Sequence, residues 1–224
     1  MPATYRAFAD RRMAGRRLAH RIGRPDWPDP VVLGLARGGV PVAAEVACEF
    51  GAPLDVAVSR KIGAPWHPEF GVGAVTADGP PYYDTYTMRK LGLSPADLAR
   101  TCEAERAEAR RRLRRYHGDR APVATRGRDV LLVDDGLATG VTATAALRAL
   151  RRTEPRRLMF ATPVCAVRAP ELLRDEADDV RCLIEPEQFR AVGHWYEDFS
   201  QTSDEEVVSL LDAAVRGFDD RRTW

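Results

Sequence analysis

Val130-Leu131-Leu132-Val133-Asp134-Asp135-Gly136-Leu137-Ala138-Thr139-Gly140-Val141-Thr142 is the stretch on which the fold turns. Its apolar run, Asp129 to Val133, is continuous rather than alternating, which predicts a strand buried on both faces of a parallel sheet. The run ends in two adjacent carboxylates. Small and hydroxyl residues follow and open a helix from Gly140 to Arg152. Backbone N–H groups at such a helix start, with the Thr139 and Thr142 hydroxyls, form a socket for a phosphate. Carboxylates at a strand end accept hydrogen bonds from a diol, or hold a metal indirectly. A sugar phosphate satisfies both halves at once. No Gly-Lys-Ser/Thr follows, so the segment is not a P-loop.

The same pattern recurs upstream. Val31 to Ala36 is a short apolar run, Arg37-Gly38-Gly39 a turn, Val40 to Phe50 a helix ending at Gly51, and Leu54 to Ser59 a second buried strand. This is a βαβ unit. Its two glycines let a backbone approach an anion closely, and Arg37 adds a fixed charge. Both loops fall at carboxyl ends of parallel strands, where open α/β sheets bind ligands. Downstream, Arg157 to Cys165 and Val180 to Glu185 read as strands around a short helix, Ala169 to Glu176. About five parallel strands result. Residues 4–22 read as an amphipathic helix, with Phe8, Ala9, Leu18, Ala19 and Ile22 sharing much of one face.

Residues 60–93 break the alternation with glycines, prolines, Tyr82, Tyr83 and Tyr86. A long mobile insertion over a site is expected, with Gly71 to Thr76 able to pair as strands. Ser94-Pro95 opens a helix reaching about Tyr116. The tail carries the aromatic segment Phe189 to Phe199, then a helix capped by Ser203-Asp204-Glu205-Glu206 and running to about Phe218.

The 224 residues suit one domain: a core at about 25–60 and 94–186, an insertion at about 61–93, and a tail at about 187–224. The net charge of +1 gives no global field for nucleic acid. The basic stretch Arg110 to Arg115 reads as a solvated helix face beside Glu105 and Glu108. No run of 18 apolar residues predicts a membrane span. Met1 to Arg24 is arginine-rich without an apolar signal core, so a cytoplasmic protein is expected. Cys48, Cys102, Cys165 and Cys182 lack C-x-x-C spacing, which predicts buried reduced thiols rather than a zinc site or redox pair. His20, His67, His117 and His194 lack H-x-x-x-H spacing, so no histidine metal site is expected. Among 34 Lys and Arg only Lys61 and Lys90 are lysines. A lysine that persists against such a bias favours a role for Lys61 in Arg60-Lys61; Lys90 reads as solvated.

The Asp134 segment resembles the phosphoribosyl pyrophosphate (PRPP) motif of type I phosphoribosyltransferases. The resemblance implies that Asp134 and Asp135 hold the ribose hydroxyls and that Ala138, Thr139, Gly140, Val141 and Thr142 bind the 5′-phosphate. Ala36, Arg37, Gly38 and Gly39 look like the family's pyrophosphate loop, where a strained, sometimes cis, peptide adjoins the arginine. Arg60 and Lys61 are similar to the start of the flexible loop of adenine phosphoribosyltransferases, which reaches the pyrophosphate. Asp134, Asp135, Arg37 and Lys61 are therefore the catalytic candidates. Phe189, Trp195 and Tyr196 are candidates for a base-binding hood. Arg60 to Pro65, Pro68 to Phe70, Gly73 to Val75 and Trp195 to Phe199 resemble a bacterial group of the family without an assigned acceptor, over residues 30 to about 207.

The implied fold is α/β, a parallel sheet flanked by helices with a lid insertion and a small C-terminal hood. The implied reaction is transfer of the phosphoribosyl group from PRPP to a nitrogenous acceptor, with Mg²⁺ carried by PRPP and water. A homodimer stays open. A non-catalytic PRPP- or nucleotide-binding regulator on the same fold is the alternative. In 6-oxopurine-using members an aspartate stands where this chain has Ala138; the adenine-using branch has alanine there. Glu69 and Glu197 are the candidates for a proton donor to the base.

Overall fold

The computed structural model describes residues 7–23 and 26–222. Its main sheet is formed by β1 (Pro30–Leu35), β2 (Leu54–Ala57), β6 (Asp129–Val133), β7 (Arg157–Val164) and β8 (Asp179–Ile184). The five strands run parallel in the order β2-β1-β6-β7-β8. The order reverses between β1 and β6, so the loops after these neighbouring strands face one crevice.

The apolar runs are continuous because both faces are covered. Val32, Leu131, Val133, Met159 and Ala161 pack under α1 (Arg11–Ile22), α2 (Gly39–Phe50), α4 (Ala99–His117) and α7 (Asp204–Arg222). Val31, Leu33, Leu35, Val130, Leu132, Leu158 and Phe160 pack under α5 (Val141–Arg151) and α6 (Ala169–Leu172). Successive strand residues thus serve opposite layers.

The interruption is not structureless. β3 (Ser59–Ala64), β4 (His67–Thr76) and β5 (Tyr82–Tyr83) form an antiparallel sheet, followed by α3 (Thr85–Leu91). Ile62, Val72 and Val75 pack with Met88, Leu98 and Cys102, while Ala74 meets Val141 and Ala145 of α5. A Cβ on Gly73 would lie 2.3 Å from the Tyr82 carbonyl oxygen, so the glycine that reads as a loop signal is what admits the third strand.

Two helix starts differ from the sequence expectation. α1 begins at Arg11, capped by the Asp10 carboxylate, which accepts from Met13 N–H at 2.7 Å. Ahead of it, Phe8 forms a parallel bridge with Tyr196; residues 4–6 of the expected helix lie outside the described residues. α4 begins at Ala99, because Asp97 accepts from both the Ser94 N–H and hydroxyl and closes a separate turn first. On α4, Glu108 binds Arg111 and Arg112, and the Arg111 hydrogen bond foremost holds it down to about 2. No helix among the described residues is long and apolar enough to cross a membrane.

Candidate active site

The loop after β1 and the loop after β6 touch. A Cβ on Gly38 would lie 1.9 Å from Asp135 Oδ2, and one on Gly39 would lie 2.5 Å from the Val133 carbonyl oxygen. Only glycines let the Arg37-Gly38-Gly39 backbone pass so close to the acidic pair. The Ala36–Arg37 peptide is cis, at the position where the resemblance places such a bond.

Asp134 Oδ1 accepts from the Asp135 N–H at 2.9 Å. Burial first, and the Asp135 charge second, raise the Asp134 carboxyl well above the usual carboxylate range; Arg11 and Lys61 oppose the shift. Burial also raises Asp135, against the pull of Arg11. Arg11 Nε donates to Asp135 Oδ2 at 2.8 Å, and Tyr196 Oη donates to the Asp135 carbonyl at 2.6 Å.

The loop beyond the pair is anchored, yet its tip is open. Leu137 N–H donates to the Val164 carbonyl and the Leu137 carbonyl accepts from Ala166 N–H, both at 2.9 Å. Ala138 and Thr139 are exposed. Gly140, at φ +71°, turns the chain into α5, and no side chain caps that helix. The first amides of α5 therefore remain available to an anion, with the favourable end of the helix dipole behind them.

The remaining sequence candidates divide. The Arg37 guanidinium lies 3.6 Å from Asp204, whose carboxylate also accepts from Tyr116 at 2.6 Å and Arg115 at 2.9 Å. Arg60 and Lys61 sit on β3 and so project to opposite faces. Lys61 is exposed and acts on Asp134 electrostatically, whereas Arg60 donates to Glu105 of α4 at 2.8 Å. Phe189 and Trp195 are half-buried against the Phe8, Val164 and Tyr196 cluster, and Trp195 Nε1 is buried without a partner. Tyr196 is only 2% exposed, packed between Phe8 and Phe199 at 5.2 and 5.1 Å. It supports the acidic loop from below and offers no free face to a base, which corrects its place among the base-binding candidates.

Sequence reasoning missed Arg11, which carries no local motif. It also missed the seat of the tail on the acidic loop: a Cβ on Gly136 would lie 2.3 Å from Val192 Cγ1. The cysteine expectation needs correction as well. Cys48 is exposed, and the fold brings Cys165 and Cys182 together with Glu185, their ligand atoms within 4.8 Å of one another. This is the only such group among the described residues, and its soft thiols do not suit Mg²⁺. The hard oxygen donors lie at Asp134 and Asp135. Their carboxylate oxygens are the ligand type that Mg²⁺ takes.

Comparisons with known proteins point to one family. The profile of the phosphoribosyl transferase domain matches residues 5–198. A protein of Mycobacterium tuberculosis H37Rv, provisionally named a phosphoribosyl transferase, is 42% identical over 211 residues, which make up 94% of this chain and 48% of that protein. The chain thus spans about half the length of the curated relatives it matches. The crystal structure of TT1426 from Thermus thermophilus is 44% identical, with a TM-score of 0.77 over 91% of this chain and 97% of that one. A Neisseria gonorrhoeae protein crystallised with ppGpp shares the fold alone, at 13% identity and a TM-score of 0.51 over 93% of this chain and 95% of that one. The profile covers most of the chain and the mycobacterial relative shares 42% identity with it, so the chain belongs to the phosphoribosyl transferase domain family.

Proposed function

We propose that the chain transfers the 5-phosphoribosyl group from PRPP to a nitrogenous acceptor, a nucleobase in the simplest case, and releases pyrophosphate. The observation that carries this reading is the contact between the two loops. The Asp134-Asp135 carboxylate pair lies against the Gly38-Gly39 backbone and leads directly into the Ala138 to Thr142 loop and the uncapped start of α5. Asp134 and Asp135 accept hydrogen bonds from the ribose hydroxyls, and the α5 amides with Thr139 and Thr142 hold the 5′-phosphate. Gly38, Gly39 and Lys61 face the pyrophosphate, and Arg37 and Arg60 join them by leaving Asp204 and Glu105.

The acceptor nitrogen bonds to the anomeric carbon as the carbon–oxygen bond to pyrophosphate breaks, inverting that centre. The bonding pair leaves on the pyrophosphate oxygen, and the proton that the acceptor nitrogen gives up passes to pyrophosphate or water. Positive charge develops on the sugar, as in other glycosyl transfer, and the fixed cations and amides stabilise the leaving anion. Mg²⁺, when bound, offsets the charge of the pyrophosphate. Pyrophosphate release by purified protein with PRPP, Mg²⁺ and a base panel tests the reading. PRPP binding without release for any base would instead support the regulatory alternative.

The panel has an expected order. Ala138 places a methyl group where an aspartate would exchange a proton with a 6-oxopurine. That help, typically about 10²–10⁴-fold, is missing. Hypoxanthine and guanine should be poor acceptors, while Ala138 leaves adenine permitted. Hypoxanthine or guanine turnover with kcat/KM in the range usual for good substrates, roughly 10⁴–10⁸ M⁻¹s⁻¹, would overturn the Ala138 argument.

The β3–β4 hairpin is proposed as the lid. Trp66 and Phe70 near its turn are 59% and 52% exposed, which suits side chains that gain cover only when a ligand is bound. PRPP with Mg²⁺ should shift Trp66 emission to the blue and protect residues 64–70 from proteolysis, and Trp66→Phe should remove the spectral change. Identical emission and cleavage with and without PRPP would exclude closure.

A further inference from the structure

Arg11 is the first residue of α1, and its side chain is 11% exposed. It reaches away from its own helix into the space between the acidic pair, the glycine loop and the tail. Nε donates to Asp135 Oδ2 at 2.8 Å, and Nη1 donates to the Ser200 carbonyl at 2.7 Å. The guanidinium carbon lies 4.0 Å over the Phe199 ring. A Cβ on Gly38 would come within 3.2 Å of Nε, so the glycine loop bounds the same space. The planar guanidinium is thus fixed on three sides, as befits a group that must hold a carboxylate in one orientation.

A role limited to tying down α1 does not account for this placement. The helix is already capped by Asp10, and its Leu18 and Ala19 are in the core. Arg17 donates to the Ala7 carbonyl at 2.7 Å and Arg16 pairs with Glu45 at 2.9 Å. The segment before the helix pairs with the tail, through Glu197 N–H to Phe8 and Asp198 N–H to Ala9, each at 2.8 Å. Arg11 instead ends on one oxygen of the carboxylate assigned to the ribose and leaves Oδ1 outside the ion pair. The charged groups facing Asp135 are Asp134 beside it and Arg11 from α1, with the Tyr196 hydroxyl on its carbonyl and Lys61 of β3 acting on Asp134. Without Arg11, Asp135 would lose the cation that opposes its shift, while Asp134 would keep Lys61.

We propose that Arg11 is a positioning residue for PRPP: it fixes the orientation of the Asp135 carboxylate that receives a ribose hydroxyl, and it ties that carboxylate to the tail through Ser200 and Phe199. Arg11 does not touch the reacting atoms. The inference rests on the PRPP-binding reading above.

The test compares Arg11→Ala, Arg11→Lys and Arg17→Ala in the full chain, by PRPP·Mg²⁺ titration, by KM and kcat, and by thermal melting. Arg11→Ala should raise the PRPP dissociation constant and KM about 10–100-fold, with a much smaller change in kcat. Arg11→Lys, which keeps the charge but not the fork, should fall between Arg11→Ala and the parent. Millimolar guanidinium should restore part of the affinity of Arg11→Ala by filling the space left behind. Arg17→Ala, on the same helix but bound to a backbone carbonyl, should leave KM unchanged. Unaltered PRPP affinity in Arg11→Ala overturns the inference. So does a loss that guanidinium does not relieve and that Arg17→Ala reproduces. Failure of the parent protein itself to bind PRPP overturns the functional reading, and this inference with it.

Discussion

Asp134→Asn is expected to weaken PRPP use severely and to leave the fold at least as stable as before. Each ribose hydroxyl bonded to a carboxylate loses a charge-assisted acceptor when that carboxylate becomes an amide. The cost is about 1.5–3 kcal/mol per bond, or roughly 10–150-fold in affinity. Asn keeps an oxygen for the Asp135 N–H, which Asp134 Oδ1 now receives at 2.9 Å. Asp135→Asn should lose as much PRPP affinity, and in addition weakens the Arg11 ion pair.

The stability effect follows from the direction of the Asp134 shift. Burial, then the neighbouring Asp135 charge, raises the folded-state value well above 3.8. The folded chain therefore holds its proton to higher pH than the unfolded chain does. Stability from this group is fully present below the ordinary carboxylate range and is lost as pH rises through the folded value. Asp134→Asn removes that loss, so its melting temperature should gain on the parent as pH goes from acid to neutral. PRPP titration with melting curves at several pH values checks both halves. Unchanged PRPP affinity and turnover in both variants would remove the ribose assignment.

Gly38→Ala is expected to damage PRPP binding more than its single methyl suggests, and Gly39→Ala to damage the fold. The Cβ added at Gly38 would lie 1.9 Å from Asp135 Oδ2 and 2.6 Å from its Cγ. A side chain is the obstacle there, so the carboxylate can swing aside, away from Arg11 and from a ribose. At Gly39 the obstacles are the Val133 carbonyl oxygen at 2.5 Å and Asp134 Cα at 2.9 Å, which are backbone atoms of a buried strand end. Overpacking of that kind costs about 1–3 kcal/mol or more. Gly38→Ala should therefore lose about tenfold or more in PRPP affinity, on the scale of one charged hydrogen bond, with a modest fall in melting temperature. Gly39→Ala should show the larger fall in melting temperature. A Gly38→Ala protein with full PRPP affinity would mean that the two loops do not share a ligand.

The parallel core and the two loops that meet at its carboxyl edge were legible in the sequence. A strand buried on both faces must be apolar at every position, so Val31 to Leu35 and Val130 to Val133 announce themselves without any partner. The acidic pair, the loop beyond it and α5 are contiguous in the chain, so covalent order alone brings them together. Residues 60–93 were harder to read: Gly71, Gly73 and the prolines give the composition of a loop, and the β3–β5 sheet exists because α4 and α5 supply cores on its two sides.

Tertiary structure alone decided everything that depends on distant partners. Arg11 and Asp135 are 124 positions apart, and Tyr196 reaches Asp135 from 61 positions away. Cys165 and Cys182 meet only because β7 and β8 pair. Arg60 and Lys61 read as one basic pair until β3 is known to be a strand, whose pleat then turns one side chain to Glu105 and the other toward Asp134. Local pattern determines which segments become strands and which backbone loops can receive an anion. The choice of arginine that meets a buried carboxylate is made by the packing of whole layers, which no stretch of sequence carries by itself.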